Sequence, residues 1–155
     1  MIVVSDTSPL NYLVLVNAVH VLPALFEQVY VPDCVVTELN HAAAPEAVRA
    51  WIASPPEWLH IRAPAHVQPD PKLQPGELHA ISLAEELRAD HILVDEWEAR
   101  QAATSRGLHV VGTLGVIRQA AHRGLIDLKE ALARLLETTF RVDRNLIDQV
   151  LREAT

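Results

Sequence analysis

The sequence predicts a single α/β domain spanning residues 1–155, built as three layers with a central parallel sheet and helices on both faces. Short β-branched apolar runs alternate with stretches of helical spacing, the pattern of parallel strands joined by helical crossovers. The strand-like runs are apolar along their length, as strands covered on both faces are. Half of the 155 residues are hydrophobic and only 21% are charged, which supplies a core and excludes a disordered chain.

Ile2 to Ser5 reads as a buried central strand. Pro9 falls in the first turn of the next helix, where its missing N–H costs nothing, and Leu10 to Ala18 continues it. A short helical stretch over Val21 to Phe26 precedes a second strand, Gln28 to Val31, which Pro32 ends. Helices follow over Asp33 to Asn40 and Pro45 to Ala53, then a proline-rich excursion holding a short strand, Trp58 to Arg62. Pro75-Gly76-Glu77 opens a helix running from Leu78 to Arg88. The next strand is His91 to Val94, with Asp95 directly behind it. Glu96 to Arg106 is helical and Gly107 caps it. Leu108 to Val111 is the last strand, and helices over Leu114 to Arg123, Leu128 to Glu137 and Asp143 to Glu153 complete the chain.

Composition removes several kinds of chemistry. Cys34 is the lone cysteine, so no internal disulfide and no cysteine-based zinc site exists. The histidines are scattered and lack a serine or cysteine partner that would suggest an activated nucleophile. The N-terminus reads as a strand and not a signal peptide, and no apolar run has membrane-spanning length, so a cytoplasmic protein is expected. Only 5% of residues are aromatic, and Trp51, Trp58 and Trp97 read as packing or interface residues. The net charge of −7 argues against grip on nucleic acid through basic residues alone. A carboxylate cluster that binds divalent cations would reverse that sign locally.

Parallel strands end on the same side, so Asp6 and Asp95, each just past a strand, are aimed at one edge of the sheet. Position alone fits two readings. Both acids suit N-caps of the following helices, and carboxylates brought together also call for a hard divalent cation between them.

Five blocks, in order, carry a resemblance. VVSDTSPL, VYVPDCVVTEL, PGELHAISLA, HILVDEWEARQAA and GLHVVGTLGVIRQAAHRGLI resemble the successive blocks of the PIN-domain family, from the start of the chain to about Asp127. The last block resembles an uncharacterised subgroup in which GTLG follows the final strand. The resemblance implies a three-layer fold and acids that bind Mg²⁺ or Mn²⁺ for hydrolysis of RNA, as in VapC-like toxin ribonucleases. Asp6 matches the first acid, Glu38 the acid on the helix after the second strand, and Glu77 a position where the family usually carries Asp. Asp95 or Glu96 matches the acid after the next strand, with Asp95 preferred as nearer the strand end. Thr7, Ser8 and Thr113 are expected to orient water or phosphate, or to cap helices.

Two departures stand out: Glu77 is one methylene longer than the usual Asp, and the turn Gly112-Thr113-Leu114-Gly115 has no carboxylate. A second reading is therefore a catalytically weak PIN-like binding module. The resemblance further implies an antitoxin partner with a basic segment, and apolar helices near Leu13 to Leu25 and Trp51 suggest a homodimer. Arg100, behind Asp95, reads more readily as a solvated surface group than as a phosphate ligand.

Overall fold

The computed structural model describes residues 1–153. Five parallel strands, β1 (Ile2–Ser5), β2 (Gln28–Val31), β3 (Leu59–Ile61), β4 (His91–Leu93) and β5 (Val110–Val111), form one sheet in the order β3-β2-β1-β4-β5. The register pairs Val3 with Val29 on one side and with His91 on the other. The chain thus adds strands outward from β1 to β3, then returns to the opposite flank of β1. That reversal leaves a crevice beyond the carboxyl ends of β1 and β4, where ligands bind in doubly wound sheets.

Period-two alternation divides the apolar residues between two cores. Val3, Val29, Val31 and Leu93 pack against α1 (Thr7–Leu15), α3 (Asp33–Leu39), α4 (Glu46–Ala53), α7 (Thr113–His122), α8 (Leu128–Leu136) and α9 (Arg144–Glu153). Val4, Ile92 and Val94 pack against α5 (Pro75–Leu87) and α6 (Trp97–Ser105). The three expected layers follow from this split. A 3₁₀ turn (Val19–Val21) and the short α2 (Leu22–Leu25) link α1 to β2. Among the described residues no single helix is long and apolar enough to cross a membrane.

The helix starts marked by Pro9 and Pro75 agree with expectation, and the first helix stops short of the expected Ala18. The first helix begins at Thr7, which places Pro9 inside a first turn whose N–H groups are free in any helix. It ends at Leu15, where Val16 leaves helical geometry and Asn17 takes a φ of 60°. The fifth helix opens at Pro75, where Gln74 and Glu77 form a capping box that admits Pro75 and Gly76 as its first residues. Within the apolar stretch from Leu13 to Leu25, Leu13, Val21 and Leu22 are buried in the core.

Candidate active site

Asp6 follows β1 directly, and its N–H donates to the Leu93 carbonyl of β4 at 2.9 Å. This bond fixes the ends of the two strands side by side. Asp6 is 4% exposed, and burial, opposed by a Thr7 backbone hydrogen bond, pushes its carboxyl up to about 7. Glu77, Glu38 and Asp95 push it the same way, so these acids share one electrostatic neighbourhood.

Asp6, Glu38, Glu77 and Glu96 line one pocket of about 260 Å³, together with Thr7, Asn11 and Gln74. Glu38 reaches it from α3 and is held by two donors, the Thr7 hydroxyl and the Gly76 N–H, the latter at 3.1 Å. Glu77, third residue of α5, accepts the Gln74 N–H at 2.9 Å and is 6% exposed. Burial raises its pKa above the ordinary value, with Glu96, Glu38 and Glu98 adding to the shift.

Asp95 is held differently. Its Oδ1 accepts the Thr113 N–H at 2.8 Å, and its Oδ2 accepts the hydroxyls of Thr113 at 2.7 Å and Ser8 at 2.9 Å. The hydroxyls of Thr7, Ser8 and Thr113 therefore donate to carboxylates and orient them, an arrangement that helix capping does not describe. Asp95 ties together the N-terminal turns of α1 and α7, while the adjacent Glu96 faces the pocket of the other three acids.

Among the described residues none of the five acids is ion-paired with a basic side chain. The result is concentrated negative charge at the sheet's carboxyl edge. Also among the described residues, no three His, Cys, Asp or Glu side chains stand close enough to form a ready-made metal cluster. Glu38, Glu77 and Asp95 are each turned onto hydrogen-bond donors of their own, which like charges favour when no cation separates them.

A family model described as a PIN domain matches residues 2–155. The chain belongs to the PIN-domain family. The three-layer architecture is that of a solved PilT N-terminus domain protein from the hyperthermophilic archaeon Sulfolobus solfataricus P2, with a TM-score of 0.52. The two are 17% identical, and the match covers 92% of this chain and 100% of the other. No curated protein matches the chain significantly.

PIN domains are generally a metal-dependent nuclease fold. The residues of this PIN domain fit a hard divalent ion: the donors are all carboxylate oxygens, and burial among other acids raises the Asp6 carboxyl, an effect that a cation beside it would offset.

Sequence reading left Asp95 and Glu96 unresolved and passed over Asn11 and Gln74. Asn11 could have been found from helical spacing, since Thr7 and Asn11 are one turn apart once the helix starts at Thr7. The resemblance offered Glu96 beside the preferred Asp95; which of the two lines this pocket depends on how the chain turns after β4.

Gly76 permits the closest approach in the site. A Cβ there would lie 2.5 Å from Glu38 Oε2 and 2.7 Å from Oε1. Gly76→Ala is expected to preserve the fold, because a carboxylate tip can swing aside and alanine favours the helix. Any metal-dependent nuclease activity should nevertheless fall by about 10²-fold, since Glu38 leaves its position. Thermal melts beside single-turnover rates check this split; a variant with normal rates would show that the placement of Glu38 is immaterial.

Proposed function

We propose that this PIN domain is a divalent-metal-dependent endoribonuclease, the toxin half of a toxin–antitoxin pair. The observation that carries the reading is the convergence of acids from four separate segments, without ion pairs among the described residues, at the carboxyl edge of β1 and β4. Asp6, Glu38, Glu77, Asp95 and Glu96 are the residues that would hold Mg²⁺ or Mn²⁺. Such an ion supplies an activated water and offsets charge on the phosphodiester oxygens.

The chain's own contribution is positioning. Thr7 and Gly76 fix Glu38, Ser8 and Thr113 fix Asp95, and the Gln74 N–H fixes Glu77. Burial keeps bulk water from Asp6 and strengthens its demand for a cation. An antitoxin segment bearing arginine would complement the same acids.

A second reading, a binding module with little catalysis, is favoured by Asp95 being occupied by three donors and by the absence of a carboxylate from Gly112 to Gly115. The test is cleavage of a mixed RNA pool with and without Mn²⁺, beside Asp6→Asn and Asp95→Asn. Cleavage that requires Mn²⁺ and disappears in Asp6→Asn supports the enzyme. Cleavage surviving both substitutions would sink it, and RNA binding without cleavage at millimolar Mn²⁺ would favour the binding module.

A further inference from the structure

The histidines are scattered in sequence, yet two of them meet at the edge of the sheet remote from the acids. His91 opens β4, and His109 stands one residue before β5, where its carbonyl accepts the Ile92 N–H at 2.9 Å. The register that pairs Ile92 with Val110 thus sets the two histidines side by side, one step earlier. Their ring centroids are 6.1 Å apart, with the planes inclined at 47°. Phe26 lies against His91 with centroids 5.5 Å apart and walls one side of the pair. His91 is half-buried, and its Nδ1, shut off from water, has no hydrogen-bond partner among the described residues. His109 is exposed.

We infer that His91 and His109 together bind one divalent transition-metal ion of the Zn²⁺ class, which clamps β5 to β4. Spacing is the first argument. Zinc–imidazole bonds are about 2.0–2.1 Å long, so two rings on one ion have centres about 5–6 Å apart, and this pair needs little adjustment. The second is the orphaned Nδ1 of His91: buried polar atoms ordinarily have partners, and a metal–nitrogen bond supplies one. Third, exposed His109 gives the ion a way in and leaves its other positions to water. That is what a two-ligand site requires, since no third His, Cys, Asp or Glu joins the pair among the described residues. Imidazole selects Zn²⁺, Ni²⁺ or Cu²⁺ over Mg²⁺ and Mn²⁺, whereas carboxylates favour the harder ions, so the two ends of the sheet sort cations by ligand chemistry. The clamp has a structural consequence. β5 is only two residues long, and Thr113, two residues beyond it, holds Asp95 through its N–H and its hydroxyl. Nothing in this inference depends on the nuclease reading.

The test follows the imidazole nitrogen resonances of the full chain by NMR, assigned through His91→Gln and His109→Gln, as Zn²⁺ is added in millimolar Mg²⁺. One equivalent is expected to shift both rings together and to leave the remaining histidines unmoved. Either substitution should weaken binding at the surviving ring by about 10²-fold, because the second ligand of a linked pair acts at high local concentration. Mg²⁺ alone should shift neither ring. Zn²⁺ at about ten times its Kd should also slow hydrogen exchange of the Ile92 and Val94 N–H groups, which bond to His109 and Val111, by about tenfold. Rings that stay unmoved at one equivalent, or a ring whose affinity survives substitution of its neighbour, would overturn the site. Zn²⁺ held by both rings without slower exchange would overturn the clamp. Because the signal comes from named rings, Zn²⁺ taken up by the acids is not mistaken for this site.

Discussion

Asp6→Asn is expected to abolish cleavage and, in metal-free protein, to make the fold more stable. The carboxyl of Asp6 is raised from 3.8 to about 7 by burial, with Glu77, Glu38 and Asp95 adding to it. Below about pH 4 it is protonated in both the folded and the unfolded chain, and wild type and variant should match. Between about pH 4 and 7 the unfolded chain ionises while the folded chain keeps its proton, so wild-type stability falls as pH rises. Above about pH 7 the loss is complete and amounts to roughly 4 kcal/mol, at about 1.4 kcal/mol for each pKa unit.

Asparagine keeps an acceptor for the Thr7 N–H and carries no charge, so it escapes this loss. At pH 8 in EDTA its melting temperature should exceed the wild type by about 10 °C. Mn²⁺ should restore the wild type and leave the variant unmoved, and RNA cleavage should drop by at least ~10²-fold. Melts at pH 4, 6 and 8 check the whole chain of reasoning. Equal stability of the two proteins at pH 8 would mean that Asp6 is not held in a charge-poor, like-charged setting.

Asp95→Ala should act in the opposite direction on stability. Thr113 is fully buried, and both its N–H and its hydroxyl donate to Asp95. Alanine leaves two buried donors of one residue without acceptors, and the expected loss is about 3 kcal/mol. Relief of charge on Asp6 offsets a part of this and only above its pKa, so the deficit should be largest in acid. Asp95→Asn should cost about 1 kcal/mol, because its amide oxygen still accepts the Thr113 N–H. Urea denaturation of the three proteins at pH 5 separates them. If Asp95→Ala unfolds at the wild-type midpoint, the link between α1 and α7 is dispensable.

Two acids at neighbouring strand ends thus have contrary effects on stability. Asp6 has burial and like charges around it, while Asp95 has donors. Nothing in the words SDTS or VDEW distinguishes them.

Much of the fold was legible because its signals are local. The β-branched runs IVVS and QVYV, the proline after Val31, and Gly107 and Gly124 at helix ends with φ of 79° and 74° each act over a few residues. The opening of α5 at Pro75 was legible as well, but the capping box in which Gln74 reaches the N–H of Glu77 is a contact that only the structure displays.

The candidate site was legible as a set of residue types on one edge and no further. Patterning along the chain determined that strands alternate with helices and that Asp6 and Asp95 follow strands, since period and turn chemistry depend on near neighbours. Only the tertiary structure decided that β1 lies beside β4, that Glu96 lines the pocket of Asp6, Glu38 and Glu77 while Asp95, an electrostatic neighbour of Asp6, is held by Thr113 and Ser8, and that Trp97 is open to water. The reason is physical: strand order and side-chain environment depend on contacts between segments tens of residues apart. Those contacts are selected by packing of the two cores, and no local stretch of sequence contains them.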